Sequence, residues 1–172
     1  MERINLVYIH SHDVGRYISP FGYKMDTPCL QQLAESGMLF RNMHCAAPSC
    51  SPSRAAMLTG MYAHCSGMYG LVNRGFELEK KECHLAPWLS CNGYKTILAG
   101  TQHVVKDRDG IPYDIILEEK KGGKVLNSQK LVCQGMEALD SLNGGSFFLD
   151  IGFGDTHRPY RDGTAQYNPA YI

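Results

Sequence analysis

The chain has 172 residues, of which 44% are hydrophobic and 20% are charged, a balance typical of one globular domain with a buried core. Its 17 basic and 17 acidic residues cancel to a formal net charge of zero, which argues against nucleic acid or an anionic membrane surface as a partner. No apolar run in the sequence is long enough to span a bilayer.

The cysteines predict free thiols rather than a disulfide framework. There are seven, an odd number, and the apolar run that begins at Ile4 leaves no room for a signal peptide before it. We therefore expect a cytoplasmic location. Three cysteines stand next to histidines, but without the CxxC or HxxxH spacing of a zinc site, so packing thiols and surface histidines are expected there. These pairs are His44-Cys45, His64-Cys65 and Cys83-His84.

The first predicted element is a buried strand with polar residues at its end. Residues 4–10 form a short, β-branched apolar run, and His12 and Asp13 follow it. Ligands bind open α/β sheets at this carboxyl edge. Asp13 offers a hard oxygen suited to Ca²⁺, whereas His12 suits a transition metal better. A simple turn residue for Asp13 and a structural use of His12 are the alternatives.

The next segment predicts a helix and a second strand. Thr27 is suited to the N-cap of this helix, and a proline follows it. Leu30 and Leu33 are expected on its inner face, and Gly37 is expected to end it. Residues 38–42 are predicted to form the second strand.

A cysteine then stands at the start of a further predicted helix. Pro52 suits the first helical position, residues 55–58 propagate a helix well, and Gly60 is expected to cap it in the left-handed conformation. Cys50 thus faces the positive end of a helix dipole, with Arg54 one turn away, and both favour an anion there. A buried structural cysteine is the alternative interpretation.

The remaining predicted elements alternate between helix and strand. Helices are predicted over residues 85–91 and 126–142, and buried strands over residues 94–99 and 146–153. This alternation predicts an α/β fold, in which helices sandwich a mainly parallel sheet.

The residues around the cysteine resemble the signature of the sulfatase family, in the alkaline phosphatase superfamily. The signature positions here are Cys50-Ser51-Pro52-Ser53-Arg54 and Leu58-Thr59-Gly60. The similarity continues through His64 and residues 67–71, and it is greatest to N-sulfoglucosamine sulfohydrolases (heparan N-sulfatases) and their bacterial relatives. The resemblance implies that a formylglycine-generating maturase oxidises Cys50 to Cα-formylglycine, whose hydrated aldehyde is the nucleophile.

The resemblance also implies a divalent cation, usually Ca²⁺, near the nucleophile. The family has an Asp-Asp pair where this chain has His12-Asp13. The metal ligands implied within this chain are therefore Asp13, His12 and the modified Cys50. Together with Arg54, the cation would offset the charge that gathers on the sulfuryl oxygens.

A second sulfatase signature is matched by Gly93-Tyr94-x-Thr96-x-x-x-Gly100-x-x-His103. Thr101 replaces the family's lysine, and Gln102 offers a neutral donor in its place. In the family, the histidine at position 103 approaches the formylglycine hydroxyl and the sulfate. A hydrogen-bonded loop histidine is the alternative for His103.

The last predicted strand leads to a further histidine. Sulfatases place a His-x-x-His arrangement here, and this chain has Gly154 at the first position and His157 at the second. The resemblance therefore implies a substrate-pocket or acid–base role for His157. From the strand order we also expect Asp13, Cys50, Arg54 and His103 to cluster at the carboxyl edge of the sheet.

These features predict a hydrolase of sulfate esters or sulfamates, with a sulfated sugar as the substrate. Because sulfatases are several hundred residues long, residues 1–172 are expected to be the N-terminal part of a catalytic domain and a poor catalyst alone. Two alternatives stay open. One is a truncated, non-catalytic homologue, and the other is a related hydrolase of phosphate or phosphonate esters.

Overall fold

The computed structural model describes residues 4–117, 120–121, 124–125 and 127–157. The strands are β1 (Leu6–Ser11), β2 (Lys95–Gly100), β3 (Ile115–Ile116), β4 (Lys120–Lys121), β5 (Lys124–Val125) and β6 (Phe147–Phe153). Four of them form one sheet in the order β1-β6-β2-β3, and β4 and β5 form a separate antiparallel pair.

The centre of the sheet is parallel, as the sequence predicts. Strand β2 pairs with β6 in register from Lys95 opposite Phe147 to Gly100 opposite Gly152, and it pairs with β3 on its other side. Both pairings are parallel. Five of the six residues of β2 are buried, as expected for a strand covered on both faces.

The helices of the described residues are α1 (Pro28–Ser36), α2 (Cys50–Thr59), α3 (Leu85–Cys91) and α4 (Ser128–Asp140). Helices α2 and α3 contribute to one apolar cluster, which includes Leu98 of β2. Helix α4 contributes to another cluster, which includes Ile97 of the same strand. Because successive strand residues point to opposite faces, helices cover both faces of the sheet. The described helices are all too short or too polar to cross a membrane.

The chain divides into two compact units. The first contains residues 1–10 and 45–154, and the second contains residues 11–44 and 155–172. Most of the sheet and helices α2 to α4 belong to the first unit. Helix α1 belongs to the second unit.

Two predictions in the second unit are wrong. Helix α1 has no buried residue: Leu30 is 42% exposed and Leu33 is 64% exposed. Residues 38–42 form no strand. The physical reason is that the described part of this unit has no sheet of its own on which an apolar helix face could pack. Thr27 is the N-cap as predicted, but its hydroxyl binds Ser19 instead of the helix.

Candidate active site

Helix α2 carries the signature cysteine, and its sequence explains where it begins and ends. Cys50 is its first residue, and Ser49 precedes it in an extended conformation. The prediction that Pro52 opens the helix is therefore wrong by two residues. Proline is still tolerated at this position because the first turn of a helix needs no amide donors. Gly60 ends the helix in the left-handed conformation with a φ of 68°, as predicted.

The first turn of α2 is held in place by buried contacts. Ser51 is 2% exposed, and its hydroxyl oxygen accepts a hydrogen bond from the Val72 amide at 3.3 Å. Ala55 and Leu58 are buried on the same helix. Cys50 itself is half-buried. The thiol is thus reachable from solvent while the backbone that carries it is anchored.

A chain of polar contacts leads from α2 into the sheet. Arg54 is 8% exposed, and its Nη1 contacts Nδ1 of His10 and lies 3.3 Å from Nε2 of the same ring. Nε2 of His10 lies 2.9 Å from Oδ1 of Asp150. Oδ2 of Asp150 accepts a hydrogen bond from the Tyr113 hydroxyl at 2.7 Å. We call Arg54, His10, Asp150 and Tyr113 the Asp150 network.

Two tyrosines, Tyr113 of this network and Tyr8 beside it, are held in the neutral form. Burial raises the pKa of Tyr113 well above its usual value, and the Asp150 carboxylate raises it further. Burial also raises the pKa of Tyr8, an effect that Arg54 opposes and Asp150 supports. The Tyr8 ring stacks on His10, with the ring centroids 4.6 Å apart. Both phenols therefore act as hydrogen-bond donors at neutral pH.

The loop after β2 carries His103 and is shaped by Gln102. His103 is exposed and has a φ of 56°. Oε1 of Gln102 accepts hydrogen bonds from the amides of Val104 at 2.6 Å and Val105 at 3.1 Å, and Nε2 donates to the Val105 carbonyl at 2.7 Å. Gln102 is 6% exposed. These contacts correct the expectation that Gln102 replaces the family's lysine as a donor, because its amide group holds the loop backbone.

The point at which this loop leaves the sheet is also fixed. Gly100 has a φ of 80°, and a Cβ there would lie 2.1 Å from the carbonyl oxygen of Gly152, so only glycine fits. Nη1 of Arg108 donates to the Gly100 carbonyl at 2.5 Å, and Nη2 donates to the Leu117 carbonyl at 2.7 Å. Arg108 thus links the carboxyl end of β2 to the segment that follows β3.

The first unit brings two of the sequence-predicted site residues together. Sγ of Cys50 and a ring nitrogen of His103 lie within 4.8 Å of each other. Arg54 lies one turn after Cys50 on the same helix, although its guanidinium extends towards His10. An imidazole and the positive end of a helix therefore both face the position at which the cysteine sulfur stands.

The second unit contains the other three predicted residues. His12 is 2% exposed, and its ring packs edge-on against His157 with the centroids 5.2 Å apart. The Thr156 hydroxyl contacts the His12 carbonyl oxygen, to which it donates. Asp13 is exposed and has a φ of 55°, a left-handed conformation that aspartate adopts more readily than most residues. The structure thus pairs the two histidines and leaves the Asp13 side chain exposed.

The donor atoms in the second unit decide which cation they suit. The Asp13 carboxylate is a hard oxygen ligand of the kind that Ca²⁺ takes. The imidazoles of His12 and His157 offer nitrogen, which transition metals prefer. Asp13 therefore fits a divalent cation of either type, whereas His12 fits calcium poorly.

The expectations for the cysteine–histidine pairs need correction. All seven cysteines are free thiols, and all except Cys50 are exposed, so the paired cysteines are not packing thiols. His84 is fully buried, and its Nδ1 accepts a hydrogen bond from the Ala86 amide at 3.1 Å. Its side chain caps the start of α3, where the Ala86 amide would otherwise lack an acceptor. Burial lowers the pKa of His84 to about 4, against an opposing effect of Asp150.

Sequence reasoning missed His10 and Asp150, although a signal for them exists. Asp150 stands in the middle of the apolar strand β6, and His10 stands near the end of the apolar strand β1. A carboxylate that interrupts a buried strand must have polar partners, because burying it alone is strongly unfavourable. That reasoning predicts a buried partner for Asp150 but cannot identify it.

Sequence comparison places these residues in a family context. A family model described as Sulfatase matches residues 4–171. The chain is 36% identical over 139 residues to N-sulphoglucosamine sulphohydrolase of Homo sapiens, an alignment that covers 77% of this chain and 27% of the human protein. The chain thus spans about a quarter of the length of this relative.

Comparison with solved structures supports the same fold. A protein in complex with its substrate D-glucosamine-2-N, 6-O-disulfate gives a TM-score of 0.75 at 18% identity, over 91% of this chain and 35% of that one. Ps i-CgsB in complex with k-i-k-neocarrahexaose gives a TM-score of 0.76 at 22% identity, over 92% of this chain and 46% of that one. At these identities the likeness shows the fold, and it confirms the predicted α/β class.

Proposed function

The chain belongs to the sulfatase family, and we propose that residues 1–172 form the N-terminal part of a catalytic domain that hydrolyses a sulfate ester or sulfamate. The observation that carries this proposal is the start of α2, where the signature residue Cys50 opens an anchored helix within 4.8 Å of His103. A reactive group at that position meets the positive end of a helix dipole and an imidazole. Both favour the negative charge of a sulfate.

Cys50 is the proposed precursor of Cα-formylglycine, made by a formylglycine-generating maturase. When formed, this group supplies a hydroxyl nucleophile for attack on sulfur. The chain's own contribution is to fix the backbone at this position through the buried hydroxyl of Ser51, which accepts from the Val72 amide. A fixed backbone keeps the reacting atom in one orientation, and orientation accounts for a large part of enzymatic rate enhancement.

In this proposal, charged and imidazole side chains interact with the sulfate group of the substrate. Arg54, one turn after Cys50, offsets negative charge on the sulfuryl oxygens. His103 donates a hydrogen bond to the nucleophile or the sulfate. In the second unit, His157 acts in the substrate pocket or as an acid or base.

A divalent cation is the proposed cofactor, with Asp13 as its ligand in the second unit. Its carboxylate is exposed and available to a cation. His12 adds a nitrogen ligand if the cation is a transition metal. A bound cation would supply positive charge for the sulfuryl oxygens.

A sulfated carbohydrate is the proposed substrate class. The name of the human relative refers to N-sulphoglucosamine, and one structural neighbour was solved with a glucosamine disulfate. A second neighbour was solved with a carrageenan-type oligosaccharide, k-i-k-neocarrahexaose. Sulfated sugars recur in these names, which supports the proposal for this chain. The variant of this proposal is a related hydrolase of phosphate or phosphonate esters, whose substrate has phosphorus in place of sulfur.

A specific observation favours a second candidate, a homologue that binds its ligand without turnover. The family's lysine is replaced by Thr101, which is 8% exposed, and the neighbouring Gln102 amide is occupied by the loop backbone. Neither side chain takes over the positive charge of a lysine. Removing one preorganised charge stabiliser typically lowers the rate by about 10²–10³-fold.

Mass spectrometry after co-expression with a maturase tests the proposal. Trypsin cleaves after Arg41 and Arg54, which places Cys45 and Cys50 on one peptide of residues 42–54. We expect Cys50 to lose about 18 Da on conversion to the aldehyde, with Cys45 unchanged as an internal control. Fragment ions locate the change within the peptide.

The outcomes separate the two candidates. An unmodified Cys50 in the presence of the maturase would contradict the sulfatase proposal. A converted Cys50 with release of sulfate from an aryl sulfate or a sulfated glucosamine supports it. In the full-length gene product, a converted Cys50 without sulfate release from either substrate, with a divalent cation added, supports the non-catalytic homologue.

A further inference from the structure

The interior of the first unit holds a carboxylate where a charge is unfavourable. Asp150 is 1% exposed and lies on β6 between Leu149 and Ile151, which are both buried. An ionised carboxylate in such surroundings needs hydrogen bonds and an opposite charge. Its two oxygens have hydrogen-bond partners in His10 at 2.9 Å and Tyr113 at 2.7 Å.

The partners define where the protons lie. A guanidinium has donors only, and Nη1 of Arg54 contacts both ring nitrogens of His10, Nδ1 and, at 3.3 Å, Nε2. Because a carboxylate oxygen only accepts, the contact of Nε2 with Oδ1 of Asp150 favours the tautomer in which Nε2 carries the proton and Nδ1 accepts from Arg54. The Tyr113 hydroxyl donates to Oδ2. The imidazole thus bridges the buried carboxylate of Asp150 and the guanidinium of Arg54.

The imidazole ring has little freedom to leave this position. Tyr8 stacks on it with an interplanar angle of 27°. A Cβ at position 152 would lie 2.4 Å from Cε1 and 2.9 Å from Nε2 of His10, so Gly152 is what admits the ring. The sequence thus provides a glycine, a stacking ring and a carboxylate around one histidine.

We propose that Asp150 and His10 are positioning residues, which hold the guanidinium of Arg54 in place for its role beside Cys50. Asp150 fixes the tautomer and the orientation of the imidazole, and the imidazole then fixes the side chain of Arg54. This inference rests on the proposed function, in which Arg54 offsets charge on the sulfuryl oxygens. A preorganised cation costs no rearrangement during the reaction, so loss of either positioning residue lowers turnover more than substrate binding.

The test compares variants of the full-length gene product after maturation. Asp150→Asn keeps the shape of the side chain but removes its charge. His10→Ala removes the bridge, whereas His10→Gln restores an amide oxygen for Arg54 and an amide donor for Asp150. Thr96→Val is the matched control, because Thr96 is also a buried polar residue of the sheet, 0% exposed, and its hydroxyl binds Asp114 outside the network.

We expect Asp150→Asn and His10→Ala to lower kcat on an aryl sulfate about 10–100-fold, the effect typical of groups that orient a functional residue, with KM changed much less. His10→Gln recovers part of that loss. Thr96→Val lowers the melting temperature but leaves kcat within about 3-fold. Unchanged kcat in both Asp150→Asn and His10→Ala would overturn the inference.

A second measurement does not depend on turnover. Nitrogen-15 NMR of labelled histidine reports which ring nitrogen of His10 carries the proton. We expect the Nε2–H tautomer in the wild type and a mixture of tautomers in Asp150→Asn. A His10 signal that is the same in both proteins contradicts the inference, even if the wild type proves inactive and the sulfatase proposal fails. If Asp150→Asn does not fold, the comparison of His10→Gln with His10→Ala tests the inference instead. The two variants are then compared by kcat and by the NMR signals of the Arg54 guanidinium.

Discussion

Two regions of the chain, strand β6 in the first unit and residues 28–38 in the second, depart from ordinary residue burial in opposite ways. In the first unit, the charged residue Asp150 is 1% exposed and is paired on both of its oxygens. In the second unit, the apolar residues Leu33 and Met38 are 64% and 77% exposed. The first unit therefore buries polar groups that organise the neighbourhood of α2, whereas α1 in the second unit buries none of its residues.

This difference has a consequence for stability and for function. Free energy from apolar burial is concentrated in the first unit, whose strand β2 places Ile97 and Leu98 at 0% exposure. The helix that carries Cys50 is anchored in that unit. The second unit carries Asp13 on an exposed turn. Substitutions of similar size should therefore have unequal effects in the two units.

The largest expected contrast is between two truncations of branched apolar side chains. Ile97→Ala should lower the free energy of unfolding by about 2–5 kcal/mol, because a fully buried side chain leaves a cavity. Leu33→Ala should change it by less than about 0.5 kcal/mol, because the side chain is already exposed. Urea titrations of both variants measure the difference. Equal losses would show that α1 packs more tightly than its exposure indicates.

The next effect is a dependence on pH within the first unit. Burial lowers the pKa of His84 from 6.5 to about 4, so between these values the unfolded chain binds a proton that the folded protein does not. Stability should therefore decrease as the pH falls from 6.5 to about 4, by at most about 3 kcal/mol from this group. Free energies of unfolding measured across this range test the expectation.

A substitution isolates the contribution of His84. His84→Asn keeps an acceptor at the N-cap of α3 but does not titrate, so it should remove this part of the pH dependence. The exposed residue His64 is the matched control, and His64→Gln should leave the dependence as it is. An undiminished slope in His84→Asn would show that other groups cause it.

A smaller contrast concerns two glycines of the first unit. Gly152→Ala should lower stability by about 1–3 kcal/mol, because the new Cβ would overlap the His10 ring and the Thr101 carbonyl oxygen, each at 2.4 Å. Gly135→Ala, in α4, should raise stability by about 0.5–1 kcal/mol, because its Cβ would meet only Ile151 at an ordinary 4.0 Å. Thermal unfolding of both variants shows whether each substitution raises or lowers stability. A gain in stability for Gly152→Ala would contradict the placement of His10 against Gly152.

Local patterns were sufficient to predict much of the fold. The helix over residues 85–91 has the predicted bounds, and β6 begins one residue later than predicted and ends where expected. Both are apolar runs bounded by turn residues, so their conformation follows from neighbouring residues. The exposure of α1 was not predictable in this way, because the burial of a helix depends on which other elements it packs against.

The candidate site likewise contains residues that a local pattern predicts and residues that it does not. Cys50 and Arg54 were found because a local signature contains both. His10 and Asp150 are 140 residues apart, so no local pattern links them. The use of the Gln102 side chain was also hidden, because a hydrogen bond from a side chain to nearby backbone leaves no trace in the spacing of residues.

The most direct test of the central claim, that Cys50 is the precursor of the nucleophile, compares two cysteine variants of the full-length gene product. Both are matured with a formylglycine-generating enzyme and assayed for sulfate release from an aryl sulfate. Cys50→Ala should lose turnover by several orders of magnitude, as expected when a nucleophile is removed. Cys45→Ala, which alters an exposed cysteine five residues earlier, should retain the wild-type rate. If Cys50→Ala released sulfate at the wild-type rate, that result would contradict the account.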